Sequence, residues 1–199
     1  MPDLTAEPEG NVIQGHAAVF NQFANIYGLF NEVIERGAFD RTDFTDVIFS
    51  INHDLDDIPL ARCRNSNANS TLQLQVDDQG LNTRAVLDIE NNVNAKALYG
   101  SVNRGDIDGM SFIFIVRGEI WEGMESDMPT RRITDIAKVR EVSAVSIPFY
   151  DGTDLNARGH NALNGAQKAL DNARSKVDLT GAQNELEVLK LKNKILMKG

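Results

Sequence analysis

The sequence predicts a mainly β fold with flanking helices, of the α+β class, followed by a helical tail. Three observations predict it. Six runs combine β-branched and aromatic residues in strand-like patterns, one internal segment has helical spacing, and after Asp154 the apolar residues recur every three or four positions. Many strands with few helices imply a barrel or a packed sheet.

The predicted strands are separated by turn-forming residues. They cover residues 12–20, 46–53, 70–76, 80–89, 110–121 and 140–148. Two of these runs are joined by "DDQG", which predicts a hairpin. The segment "NEVIERGAF", residues 31–39, fits a short helix or a strand equally well.

Helical spacing marks the segment 92–105 and the end of the chain. In the first, Val93, Ala97, Leu98 and Val102 predict a helix that leads into the strand at 110–121. The tail predicts two helices, the second opening with a capping box of Thr180 and Gln183. Their apolar positions are Leu163, Ala166, Leu170, Ala173 and Val177, then Leu179, Ala182, Leu186, Leu189, Asn193 and Leu196. With Asp154 to Asn161 as the linker, we divide the chain into a body, 1–157, and a tail, 158–199.

The composition is that of an ordinary globular protein. Of 199 residues, 42% are hydrophobic and 25% are charged, and no apolar run approaches the length of a membrane helix. The acidic N-terminus is not a secretory signal. Cys63 is the single cysteine, which favours a reducing cytoplasmic setting. No membrane partner is expected.

The net charge of −9 argues against a nucleic-acid partner. The charge is also unevenly spread. Eight of the 20 basic and four of the 29 acidic residues lie from Arg158 onward, so the tail carries +4 and the preceding residues −13. An acidic body with a basic tail predicts two parts with different tasks.

A serine stands where a turn meets a strand in "RGDIDGMSFIFIV", residues 104–116. The glycines and aspartates are typical of a turn, and the apolar run after them is typical of a strand. Ser111 therefore lies at the mouth of a strand, where a hydroxyl can be held rigidly and still be reached from outside. The same position also suits a strand that simply begins with a small polar residue.

A serine needs a base, and the base needs an acceptor that orients it. Of the three histidines, His53 ends a predicted strand and stands at a sheet rim, although a surface role fits it as well. Glu141 in "KVREVSAVSIP" shares one strand face with Val139, Ser143, Val145 and Ile147. This pattern predicts a carboxylate directed at the core. Such a carboxylate needs a partner. The alternative to a histidine partner is a salt bridge with Arg117, Arg132 or Arg140.

The main alternative to serine chemistry is a metal-dependent site. His53, Asp54, Asp56 and Asp57 lie close together in the sequence, but a second histidine at helical spacing is missing. We therefore predict neither a metal nor a cofactor.

The chain resembles the tailed-phage prohead maturation proteases, which are relatives of the herpesvirus assemblin serine proteases. The ordered set of segments that carries the resemblance spans residues 13 to 154. It comprises "GHAAVF", "NEVIERGAF", "INHD", "LARC", "GL" before a strand, "RGDIDGMSFIF", "RRI" and "REVSAVSIPFYDGT". The chain departs from the pattern at "IPFY", where a small residue is expected after the proline.

The resemblance implies a mostly antiparallel, assemblin-like β-barrel with surrounding helices. It implies Ser111 as nucleophile, through the "G-x-S-F" match, and His53 as base, through "N-H-D". Glu141 is our choice for the third member, with Asp54 and Asp88 as alternatives.

The resemblance also implies a task and a place. The expected substrates are the scaffold or the scaffolding segment of the major capsid protein, cut inside the immature prohead in the host cytoplasm. Assemblins are activated by dimerising, so self-association is a further expectation. The tail is expected to recruit the enzyme or to be cut off by it. The alternative function is an inactive capsid-assembly or scaffold protein with the same barrel.

Overall fold

The computed structural model describes residues 4–7, 10–65, 67–147 and 160–196. They form ten strands, two α-helices and a short 3-10 turn at Asn67–Asn69. In chain order the main elements are β1 (Thr5–Ala6), β2 (Val12–Val19), β3 (Phe23–Ile26), β4 (Phe30–Ile34), β5 (Asp46–Ile51), β6 (Ala61–Arg64), β7 (Leu72–Val76), β8 (Gly80–Val86), α1 (Val93–Arg104), β9 (Gly109–Glu122), β10 (Thr130–Val145) and α2 (His160–Leu196).

The first sheet has the strand order β1-β2-β8-β7, and all its pairings are antiparallel. In β7, Leu72 and Leu74 are buried while the intervening glutamines face outward, so the alternation in "LQLQV" gives a half-buried strand. The Asp77 carboxylate accepts the backbone N–H groups of Gln79 and Gly80 at 2.8 and 2.9 Å. This confirms the predicted hairpin at "DDQG".

The second sheet is built around β10. Its strand order is β3-β4-β10-β5-β6, and β9 pairs along the other edge of β10. The 16-residue length of β10 lets two short strands share one edge, with β4 parallel to residues 130–133 and β5 parallel to residues 141–144. Strands from distant parts of the sequence therefore meet on a single strand.

Asp43 fills the gap between β4 and β5 on the edge of β10. It forms an isolated bridge with Lys138, and its carboxylate accepts a hydrogen bond from Lys138 Nζ at 2.7 Å. That hydrogen bond holds the pKa of Asp43 well below its ordinary value. The salt bridge between the Asp43 carboxylate and the Lys138 ammonium is therefore complete at neutral pH. It is lost as the pH falls into the strongly acid range, where the carboxylate takes up a proton.

The predicted barrel is not confirmed. Among the described residues, six of the eight strand pairings are antiparallel, as expected, but the strands form two sheets that do not close. The sheets share one buried cluster, to which the first contributes Ile13 and Leu81 and the second Phe49 and Val142. The strands therefore bury their apolar faces by packing the two sheets over a common core.

Helix α1 confirms the helix predicted over 92–105. Asn92 is its N-cap and accepts the backbone N–H groups of Asn94 and Ala95, and Gly105 ends it in the left-handed conformation. Ala95, Leu98 and Val102 are buried. Helix α1 thus presents its apolar face to the core shared by the sheets.

The ambiguous segment 31–39 divides between a strand and turns. Residues up to Ile34 belong to β4, since they pair with β3 on one edge and with β10 on the other. The residues after it form turns. Tertiary pairing decided what the local pattern left open.

The tail forms one helix, so the predicted break at Thr180 is wrong. Helix α2 runs from His160 to Leu196 without interruption. Gly181 weakens a helix by about 1 kcal/mol, but no proline interrupts this stretch, so the helix continues through the capping-box residues. Residues 154–159 of the predicted linker lie outside the described residues, and its last two residues belong to α2.

We also find that none of the helices in the described part of the chain is long and apolar enough to cross a membrane.

Gly80 offers a test of how β2 and β8 pack. A Cβ atom at this position would lie 1.9 Å from the backbone oxygen of Ala18, so Gly80→Ala must push the two strands apart. We expect a loss of more than about 3 kcal/mol in the free energy of unfolding, measured by urea denaturation. The control is Gly100→Ala in α1, where the nearest atom is the mobile end of Arg104 at 3.4 Å. It should raise stability by up to about 1 kcal/mol. Equal effects of the two changes would contradict this account.

Candidate active site

The candidate site is built on a buried carboxylate. Glu141 lies on β10, and its side chain is only 1% exposed. Its Oε2 is 2.7 Å from Nδ1 of His53, and its Oε1 accepts a hydrogen bond from Ser50 Oγ at 2.5 Å. Both carboxylate oxygens therefore have partners, which a buried carboxylate requires.

The salt bridge considered for Glu141 does not form with two of the three candidate arginines. Arg117 pairs with Asp135, and Arg132 pairs with Glu35 and Glu122. Arg140, the third, is exposed, whereas Glu141 is buried. The basic partner of Glu141 is the imidazole of His53.

A tight turn presents His53 to Glu141. Asn52 and His53 have φ angles of 51° and 60°, and the Asp54 N–H donates to the Ile51 carbonyl at 3.0 Å. Two consecutive left-handed residues closed by this bond form a type I′ turn. Asparagine and histidine tolerate this conformation better than most residues. The turn is tied to β10, because the Asn52 N–H donates to the Ala144 carbonyl at 2.9 Å.

Four hydrogen bonds form a closed ring through His53. Its backbone N–H donates to Ser143 Oγ at 2.8 Å, and Ser143 Oγ lies 2.9 Å from Ser50 Oγ. A hydroxyl has one hydrogen, and Ser50 gives its own to Glu141, so Ser143 must donate to Ser50. Glu141 closes the ring at Nδ1 of His53. The ring fixes both the backbone and the imidazole of His53.

Ser111 lies in the strand next to this ring. In the sheet, Ser143 is the register partner of Ser50 on β5 and of Ser111 on β9. Directly paired residues share a face and have Cα atoms about 4.5–5.5 Å apart. Ser111 therefore stands on the same face as Ser143, and Glu141 lies two residues away on that face. Ser111 is partly exposed, at the start of β9.

The structure gives the other predicted candidates different partners. Asp54 accepts the backbone N–H groups of Asp56 and Asp57, and Asp88 accepts that of Asn91. Among the remaining histidines, His16 pairs with Asp77 at 2.9 Å, and the side chain of His160 lies outside the described residues. Of the acids considered, Glu141 is the one that the structure places on His53.

Strand alternation places Ser143 on the same face as Glu141, two residues away, but sequence reasoning gave it no role in the site. Sequence reasoning missed Ser50 altogether. Ser50 gave no such signal, because its role depends on the parallel pairing of β5 with β10.

A cavity of about 460 Å³ adjoins the turn that carries His53. Both polar and apolar side chains line it, namely Ser50, Ile51, Asn52, Asp54, Asp57, Ile58 and Leu60. The loop after β5 forms much of its wall and is tied to α1, since Asn94 donates to the Asp57 carboxylate at 2.9 Å. The site thus has a recess beside it on the β5 side.

We find no group of three or more metal-ligating side chains gathered in a metal-binding arrangement within residues 4–7, 10–65, 67–147 and 160–196.

Serine, histidine and a carboxylate are the side-chain types that serine hydrolases use, and Ser111 lies on the strand next to the one that carries Glu141, the partner of His53. The chain belongs to the caudovirus prohead serine protease family, whose model matches residues 3–167. No curated protein and no solved structure matches it. The protein is thus a serine peptidase of phage capsid maturation, and its setting is the phage prohead within the host.

Ser143 offers a test of the hydrogen-bond ring. Ser143→Ala leaves the His53 N–H and the Ser50 oxygen without their partner, so we expect a loss of about 1–3 kcal/mol in the free energy of unfolding. Ser146→Ala is the matched control. Ser146 is exposed and accepts a longer bond of 3.3 Å from Asn52, so its loss should cost less than about 0.5 kcal/mol. Urea denaturation measures both, and indistinguishable values would argue against the ring.

Proposed function

We propose that the protein is an endopeptidase with Ser111 as nucleophile, His53 as general base and Glu141 as the acid that orients the base. Its substrates are the scaffold or the scaffolding segment of the major capsid protein, and it acts inside the immature prohead in the host cytoplasm. The observation that carries the proposal is the 2.7 Å contact between His53 Nδ1 and the buried Glu141 carboxylate.

The contact supports a separate role for each nitrogen of the imidazole. Nδ1–H donates to Glu141, so Nε2 is the nitrogen that takes the proton from Ser111 Oγ. The oxygen attacks the scissile carbonyl, His53 returns the proton to the leaving amine, and an acyl-enzyme remains on Ser111. Water then releases the acyl group by the same proton transfers, which regenerates the hydroxyl.

Burial makes Glu141 suited to this role. Water does not screen its charge, so the carboxylate stabilises the imidazolium that forms as Ser111 loses its proton. Ser50 and Ser143 act as positioning residues, because Ser50 donates to Glu141 and Ser143 accepts the backbone N–H of His53. The site is therefore preorganised before substrate arrives.

The solvent exposure of the three side chains supports the same roles for Ser111, His53 and Glu141. Ser111 is partly exposed at the start of its strand, and the side chain of His53 is 16% exposed, whereas Glu141 is enclosed. The cavity beside the His53 turn is large enough to take a substrate side chain. The two groups that must touch substrate are thus those that solvent reaches.

The proposal also gives the body and the tail different roles. Residues 1–157 carry the reaction, and residues 158–199 recruit the enzyme to the assembling shell or are removed by self-cleavage. The basic charge of the tail supports a recruiting role, since it contrasts with the acidic body. Leu170 and Ala173 are buried, so the first part of α2 is anchored by packing.

The nucleophile and base can be tested together. Ser111→Ala and His53→Ala should each reduce cleavage of purified scaffold or capsid protein by about four to six orders of magnitude, and the double variant should lose little more. A fluorophosphonate probe should add one adduct to the wild-type chain, at Ser111, and none to Ser111→Ala. Ser126→Ala, an exposed serine in a turn, is the control and should keep full activity. Residual turnover of a tenth in Ser111→Ala would refute the assignment.

Glu141 is tested by neutralising it. Glu141→Gln keeps the shape and an acceptor for Ser50 but removes the charge, so kcat should fall by at least about a hundredfold with little change in KM. Progress curves with a peptide that spans a cleavage site measure both constants. A variant that is less stable but cleaves normally would assign Glu141 a purely structural role.

A further inference from the structure

Helix α2 carries two apolar stripes that point in opposite directions. The first includes Leu170 and Ala173, which are 2% and 6% exposed, so the middle of this stripe packs against other parts of the chain. The second includes Leu179, Leu186 and Leu189, which are 64%, 52% and 57% exposed. At 100° per residue the two stripes lie about 150° apart around the helix axis. The second stripe therefore cannot turn toward the surface that buries the first.

The second stripe follows a heptad repeat. Apolar residues and one asparagine occupy successive a and d positions, in the order Leu179, Ala182, Leu186, Leu189, Asn193 and Leu196. This seam is the one along which helices pair in coiled coils. The exposure of Leu179, Leu186 and Leu189 along this seam marks an interaction surface rather than a solvated face.

Charge identifies the partner as a second copy of this chain. Glu185 occupies a g position and Lys190 the following e position, and both are exposed. Five residues apart, they do not face each other on one helix. In a parallel, in-register pair of helices, Glu185 of each copy faces Lys190 of the other, which gives two salt bridges. A single asparagine at an a position, Asn193, is the residue that sets register and favours two strands.

We propose that residues 179–196 pair with the same segment of a second copy as a parallel two-stranded coiled coil. Isolated helices of this length are marginal because nucleation is costly. Here α2 is already helical from His160, and the buried residues Leu170 and Ala173 hold it in place. Helix nucleation therefore adds no cost when the two copies associate. The pairing leaves the active-site residues outside the contact.

Charge reversal on full-length Ser111→Ala protein tests the pairing without interference from proteolysis. Glu185→Lys sets lysine against lysine, and Lys190→Glu sets glutamate against glutamate. Each change alone should weaken dimerisation about tenfold or more in sedimentation velocity at low salt. The doubly reversed chain should dimerise like the parent, and an equimolar mixture of the two single variants should form heterodimers. Glu187→Lys is the control, since it makes the same charge change at an outer position of the heptad.

A cysteine reports the direction of the helices. Leu179→Cys in a parallel pair brings two a-position sulfurs together, so oxidation should give a disulfide-linked dimer, whereas antiparallel helices keep them apart. A chain that is monomeric at every concentration overturns the proposal. So does a dimer that responds equally to Glu185→Lys and Glu187→Lys. A monomer whose leucine stripe binds purified scaffold also overturns it, in favour of a scaffold contact.

Discussion

Burial of the Glu141 carboxylate is the constraint on which the candidate site depends. An ionised carboxylate removed from water costs several kcal/mol unless hydrogen bonds replace its hydration. Ser50 and the imidazole of His53 provide those bonds, and Ser143 links Ser50 back to the backbone of His53. The left-handed turn at residues 52 and 53 is tolerated because it completes this ring. The stability of the buried carboxylate and the orientation of the His53 imidazole therefore depend on the same hydrogen bonds.

Strand β10 is the part of the fold that makes the ring possible. It accepts β9 on one edge and both β4 and β5 on the other, so residues far apart in the sequence meet in one row. Ser50, Ser143 and Ser111 lie side by side in that row, on three adjacent strands. A shift of one residue in either pairing would turn a serine to the opposite face. The register of β10 with its neighbours thus controls the geometry of the whole site.

Helix α2 shows how one element can serve two contacts. Its first half is held through Leu170 and Ala173, and its second half presents leucines at more than half of their full exposure. The change of stripe between Val177 and Leu179 shifts the apolar face around the helix while the backbone remains helical. The buried residues and the exposed leucine stripe are therefore separated along a single helix.

The sequence by itself predicted β2, β5, β7, β8, β9, the last part of β10, the helix α1 and the candidate residues. Alternation in "LQLQV" predicts its strand, the spacing around Ala97 and Leu98 predicts α1, and motif resemblance selects Ser111, His53 and Glu141. Tertiary structure decided that β4 is a strand, that α2 is unbroken, that the sheets stay open, and that Ser50 supports Glu141. The physical reason is that strand alternation fixes which face a side chain takes. The identity of the neighbouring strand, in contrast, depends on pairing between residues up to 99 positions apart.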